Sequence, residues 1–181
     1  MDTVFKEAGR LDGVVNCAGS LLLKSAHATS EEEFQKTISA SLSTSFATIH
    51  AAGRRMTQGG SIVLIASAAA LTGLANHEAI AAAKAGIIGL AQSAAATYAS
   101  NHLRINVVAP GMIESPLTAS MLSNQLIAKA SLAMHALGRI GTPQDVAQAI
   151  VFFLNPSNSW VTGQVLAVDG GLSSIRPKLK V

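Results

Sequence analysis

The chain has a single cysteine, Cys17, among its 181 residues. No disulfide can close within it, and no cysteine-rich metal site can be built. Its histidines and carboxylates show no ligand spacing, so no metal centre is expected; His27, His50, His102 and His135 read as surface or core residues. Charge is scarce: Asp, Glu, Lys and Arg make up 13% of the chain, against about 25% in an ordinary globular domain. Aromatics amount to 4%, and no basic stripe interleaves with them, which excludes a nucleic-acid surface. The net charge of +3 owes part of its value to Arg176, Lys178 and Lys180, in a tail of residues 172–181. No apolar run reaches a membrane-spanning length of about 20 residues; the longest, Ala79–Ala91, is interrupted by Lys84. Met1–Arg10, with Lys6, Glu7 and Arg10, lacks the apolar core of a signal peptide. These absences predict a soluble chain in a reducing compartment, the cytoplasm or an organelle interior.

What is abundant is small and aliphatic. Apolar residues form 49% of the chain, and they fall in blocks of alternating strand and helix character. Val14–Cys17, Ile62–Ala66, Ile105–Val108 and Gln164–Val168 are short runs of the kind that form parallel strands buried on both faces. Thr29 and Ser30 followed by Glu32 and Glu33 give a capping-box signature, opening a helix that should reach about Gln58. Asn76 is the expected N-cap of a long helix from His77 to Ser100. Met112–Ala136 reads as loop and short helices, and Pro143–Leu154 as a helix with proline in its first turn. The alternation predicts an α/β fold, a parallel sheet flanked by helices, in one domain over 1–181.

Five segments then carry a family resemblance: LDGVVNCAG (Leu11–Gly19), the strand Gly60–Ser67, RINVVAPGMIESP (Arg104–Pro116), LGRIGTPQDV (Leu137–Val146) and VTGQVLAVDGG (Val161–Gly171). In this order they resemble the short-chain dehydrogenase/reductase family over nearly the whole chain. The resemblance implies a Rossmann-type doubly wound parallel sheet, present only as its C-terminal half, with about four strands. The family's opening strand, Gly-rich turn and helix have no counterpart here, nor does the second strand that reads the ribose. That turn offers backbone N–H groups and a helix N-terminus to the pyrophosphate. The expectation is that Met1 is internal to a longer polypeptide, or that a partner chain covers the edge at Val14–Cys17, because an open apolar edge invites aggregation.

The resemblance also implies a catalytic Asn, Ser, Tyr and Lys. Ser67 and Lys84 match; the Asn position falls on Ser41, and the Tyr position, four residues before Lys84, holds Ile80. Isoleucine has no titratable proton, so the family's acid–base step cannot run from there. Ser41 keeps a hydroxyl able to bind water. His77, Ile80 and Lys84 stand at i, i+3 and i+7, one helix face if the helix includes His77. An imidazole with a reference pKa of about 6.5 would then lie near Ser67; a polar helix start is the plainer reading. Tyr98, the single tyrosine, lies fourteen residues beyond Lys84, too far to substitute.

By the same resemblance, Asn16, Ala18, Gly19, Lys84, Pro110, Gly111, Ile113 and Ser115 line half of a dinucleotide groove. Turn chemistry at a strand end accounts equally for Asn16 and Gly19, and loop breaking for Pro110-Gly111. NAD(P)(H) is expected if the missing N-terminal half is supplied, and otherwise no cofactor. Ala81, Ala82, Ala85, Gly86 and Gly89 would let their helix approach a neighbouring subunit closely, so the expected partner is a second copy or a different chain at the strand edge. The leading function is a non-catalytic or impaired family member acting as a structural or interaction subunit. The alternative is an NAD(P)-dependent oxidoreductase using His77, Ser67 and Lys84. A third is a dinucleotide-binding regulator without turnover.

Overall fold

The strands β1 (Gly13–Asn16), β2 (Gly60–Ile65), β3 (Leu103–Pro110) and β4 (Val165–Val168) form one parallel sheet in that spatial order. The computed structural model describes residues 2–177. Parallel neighbours require crossovers, and helices supply them. α1 (Asp2–Ala8) precedes β1; α2 (Glu31–Ile38) and α3 (Thr44–Gly53) link β1 to β2; α4 (Glu78–Thr97) links β2 to β3. α5 (Ala119–Leu122), α6 (Gln125–Met134) and α7 (Pro143–Leu154) lie between β3 and β4. This is the α/β, Rossmann-like architecture that the alternating blocks predict.

The strand pleat divides the core in two. Ile62, Leu64, Ile105 and Val107 pack on one face with Ile87 and Ala91 of α4 and Ile49 and Ala52 of α3. Val63 and Val108 pack on the other with Ala149 and Phe153 of α7. Truncating a buried aromatic such as Phe153 costs about 3–5 kcal/mol. The second face also holds polar side chains that fasten α7 to the sheet: Ser61 Oγ and Arg104 Nη1 both donate to the Phe153 carbonyl at 2.8 Å.

Four local expectations change. β1 is not buried on both faces: Val14 and Val15 are half-buried, because only β2 pairs with it among the described residues. The helix capped by Ser30, whose capping box is completed by Glu33, ends at Gly53 rather than near Gln58, and a π-turn, Ser39–Ser43, interrupts it. Asn76 does not cap α4; it takes a left-handed conformation (φ 62°), which Asn tolerates. His77 takes the N-cap position without a side-chain cap bond. The tail is not a free end from residue 172: Leu172 is buried and the Ser173 N–H donates to Asp169 at 2.9 Å. Lys178 and Lys180 lie outside the described residues.

By length and composition α4 is apolar enough to cross a membrane. Its Ile80, Ala83, Ile87, Ala91 and Ala94 are buried at helical spacing, which marks it as the domain's core helix. Gly86 belongs to that inner face, since a Cβ there would meet Leu42 Cδ2 at 2.9 Å. Ala82, Ala85 and Gly89 face outward.

Candidate active site

Ser67 stands just beyond β2 and caps the short turn Ala68–Ala70; its Oγ accepts the Ala69 N–H at 3.1 Å. The hydroxyl proton has no acceptor among the described residues. Ser67 lines a cavity of about 100 Å³ together with His77, Ile80, Pro110 and Gly111. Two residues predicted for catalysis and two predicted for the cofactor therefore converge. His77 Nδ1 lies 2.7 Å from the Ala75 carbonyl. A carbonyl only accepts, so Nδ1 carries the proton, and in the neutral ring Nε2 holds the lone pair. Ile80, 2% exposed, closes the wall with hydrocarbon.

Lys84 is elsewhere. It does not line that cavity; its ammonium donates to the Ile65 carbonyl at 2.8 Å, and it is 7% exposed. Burial pushes its pKa down to about 8, against a smaller opposing effect of the nearby Cys17. Ser41 is fully buried in the π-turn, and its Oγ has no hydrogen-bond partner among the described residues. A Cβ on Gly19 would come 3.2 Å from Lys84 Nζ and 3.7 Å from Ser41 Oγ. Gly19, Ser41 and Lys84 thus form a second nest, at the ends of β1 and β2. Of the predicted site of His77, Ser67 and Lys84, the first two line this cavity and Lys84 does not; α4 begins at Glu78, so His77 stands at its N-cap rather than within it.

The remaining groove residues behave mainly as turn formers. Asn16 Oδ1 accepts the Ala18 N–H at 2.8 Å, and Asn16 Nδ2 donates to Thr48 Oγ1 at 3.0 Å. Ile113 bridges to Gly141 and lines a separate cavity of about 400 Å³. The Ser115 N–H donates to Thr118 Oγ1 at 3.1 Å.

His135, read from the sequence as a surface or core residue, is a core residue beside the site. His135, 4% exposed, accepts the Met112 N–H on Nε2 at 3.0 Å and donates from Nδ1 to the Ser131 carbonyl at 2.6 Å. Only a neutral imidazole does both. His135 braces the Pro110–Met112 loop and stands in the wall common to both cavities. Gly111 is required beside it, because a Cβ there would lie 2.6 Å from His135 Nε2. No spacing in the sequence signals this, since its partners are backbone atoms.

Residues 1–173 match the family described as Enoyl-(Acyl carrier protein) reductase. The 3-oxoacyl-[acyl-carrier-protein] reductase FabG of Chlamydia muridarum is 38% identical, over 92% of this chain and 67% of that protein. The inactive 2-(S)-hydroxypropyl-CoM dehydrogenase 2 of Xanthobacter autotrophicus is 35% identical, over 92% of this chain and 75% of that one. Among solved structures, a short-chain type dehydrogenase/reductase from Mycobacterium ulcerans superposes with a TM-score of 0.91 at 32% identity, covering 97% of this chain and 65% of its own. ElxO with NADP bound gives 0.89 at 32% identity, covering 96% and 72%. The chain spans about two thirds of the length of these proteins. With motif order, sheet order and overall likeness in agreement, the chain belongs to the short-chain dehydrogenase/reductase family.

Proposed function

We propose that this chain is a family member without the family's proton relay, acting as a structural or interaction subunit rather than as an efficient oxidoreductase. The observation that carries this is Ile80: a buried hydrocarbon stands in the Ser67 cavity at the position from which the family donates its proton. Lys84 is compatible with it: its ammonium is anchored by the Ile65 carbonyl and faces hydrocarbon, not a phenol, at position 80. The likeness to a relative named inactive points the same way.

The Asn16–Gly19 turn, Lys84, Pro110, Gly111, Ile113 and Ser115 would hold the nicotinamide end of NAD(P)(H), which supplies hydride chemistry when bound. The nest fits that role: glycine at position 19 leaves no side chain between the backbone and Lys84 Nζ. The partner is a second copy of the chain or a different polypeptide. It would cover the free edge of β1 and apolar side chains such as Phe46 (58% exposed) and Trp160 (99% exposed). Two experiments test the reading. NADH and NADPH oxidation by the purified protein with small ketones should not exceed that of Ser67→Ala; turnover that disappears in Ser67→Ala overturns it. Native mass spectrometry of the protein from its source should show an assembly, and a lone chain would remove the structural role.

A second reading rests on His77. Its Nδ1 is oriented by the Ala75 carbonyl and its ring lines the same cavity as Ser67, the arrangement of an oriented general base. Under it, wild type reduces ketones and His77→Ala abolishes the activity.

A further inference from the structure

We infer that His135 is a proton-operated latch on the loop Pro110–Met112. Neutral, its ring ties the loop to the end of α6 and stands as the wall between the two cavities. Protonated, it releases the Met112 N–H and turns toward Asp169. The latch operates whether or not the chain turns over a substrate.

The acceptor nitrogen is the sensitive point. His135 is the buried C-cap of α6; its Nδ1–H donates to Ser131 while Nε2 accepts from Met112. An imidazolium has two N–H donors and no acceptor, so a proton on Nε2 would aim one donor at another. The rest of the loop does not depend on the ring. The Gly111 N–H donates to the Val168 carbonyl at 3.1 Å, and the Met112 carbonyl accepts the Gly141 N–H at 3.0 Å. Release is therefore confined to the Met112 N–H.

The released ring has a place to go. A Cβ on Gly111 would lie 2.6 Å from His135 Nε2 and 3.1 Å from Asp169 Cβ, so ring and carboxylate flank one glycine. Asp169 interacts electrostatically with His135, and both line the cavity of about 400 Å³. The carboxylate accepts from the Gly171 N–H and from the N–H and Oγ of Ser173, which leaves one of its roughly four acceptor sites. An imidazolium would be met by that site and by the C-terminal carbonyls of α6, where the helix dipole favours a cation. The other charged or titratable groups around it are Arg139 and Asp145, paired with each other at 2.8 Å across the larger cavity, and His77 across the smaller.

The test is NMR of the full chain with its nitrogens isotopically labelled, from about pH 8 to about pH 5, the range in which histidines change charge. The ring nitrogens of His135 report its protonation. Exchange of the Met112 amide with solvent, corrected for the intrinsic effect of pH, reports the latch. Met112 protection should fall about five- to tenfold, the value of one hydrogen bond, in step with protonation of His135, while the Gly111 and Gly141 amides keep theirs. His135→Gln supplies an acceptor that cannot be protonated, so Met112 should stay protected and lose its response to pH. Asp169→Asn removes the receiving charge and should move the transition to lower pH. Four results would each overturn the latch: a ring that stays neutral across the range, a protonated ring with Met112 still protected, a transition unmoved in Asp169→Asn, or a Met112 transition that survives in His135→Gln and so belongs to His77 or Asp169. The amides of Val63 and Leu64, buried in β2, verify the fold of each variant. The wild-type record decides by itself where a variant does not fold.

Discussion

The surroundings of Ser67 and of Lys84 differ in kind. Around Ser67 the cavity wall is mainly apolar and holds no Asp, Glu, Lys or Arg, with Ile80 closing one side. Around Lys84 the nest is polar, with a buried lysine and a buried serine hydroxyl beside the exposed Gly19. In the family pattern a tyrosine joins such regions, because its phenol reaches the substrate oxygen while the lysine lowers its pKa. Isoleucine at position 80 breaks the link without disturbing either side. Under the proposed reading a relay is lost at one residue while its two ends keep their local bonds: Ser67 accepts the Ala69 N–H and Lys84 donates to the Ile65 carbonyl.

The largest expected effect comes from restoring the link. Position 80 lies one helical turn before Lys84, close enough for the ammonium to reach a phenol there. A positioned general acid contributes about 10²- to 10⁴-fold, so Ile80→Tyr should raise NADPH-dependent reduction of cyclohexanone by that order over wild type. Cofactor binding is measured in parallel by fluorescence. If the double variant Ser41→Asn/Ile80→Tyr binds cofactor and still turns nothing over, tyrosine is not what separates the two regions.

Lys84 gives the next effect, through pH. Burial holds its folded pKa at about 8, below the ordinary lysine value of 10.5. Between those values the unfolded state binds more protons, so stability should rise with pH across that window. The rise is bounded at about 3 kcal/mol, from about 1.4 kcal/mol per unit. Below pH 8 both states are protonated and the full burial cost applies. Lys84→Met should flatten the rise, seen by urea denaturation from pH 7 to pH 10 as a difference from wild type that shrinks with pH. Parallel curves would mean that Lys84 is not desolvated. A smaller loss, about 1–3 kcal/mol, is expected from Gly111→Ala, whose Cβ would crowd His135 Nε2 and the Asp169 backbone.

Much of this was legible in the order of residues, and the reasons differ by region. Buried parallel strands need unbroken apolar runs, which made β2 and β3 visible; the capping box made the start of α2 visible. The π-turn at Ser39–Ser43 was not, because SASLS has no composition that distinguishes one helical hydrogen-bond pattern from another. Asn76 misled because the same side chain suits an N-cap and a left-handed turn. Ser67, Ile80 and Lys84 could be placed by motif spacing, but whether His77 shares the helix of Ile80 and Lys84 depended on where α4 begins, and a one-residue shift decided it. His135 was read only as surface or core, because its bonds are to backbone groups brought near by the fold.

The smallest effect separates two meanings of Ser41. Its Oγ is buried and makes no hydrogen bond with any described residue, and an unsatisfied buried hydroxyl costs about 1–3 kcal/mol. If the hydroxyl is an orphan, Ser41→Ala removes that cost and leaves only a small packing loss, for a net gain of up to about 1 kcal/mol. If instead Ser41 holds a water that reaches Lys84, the same change strips a partner from a buried ammonium. Stability then falls by about 1 kcal/mol, and the rise above pH 8 steepens as Lys84 is left more poorly solvated. Urea denaturation of Ser41→Ala and of Ser41→Ala/Lys84→Met distinguishes the cases. Additive effects mark two independent residues, while a destabilisation that disappears once Lys84 is replaced shows that one half of the old relay still operates as a unit.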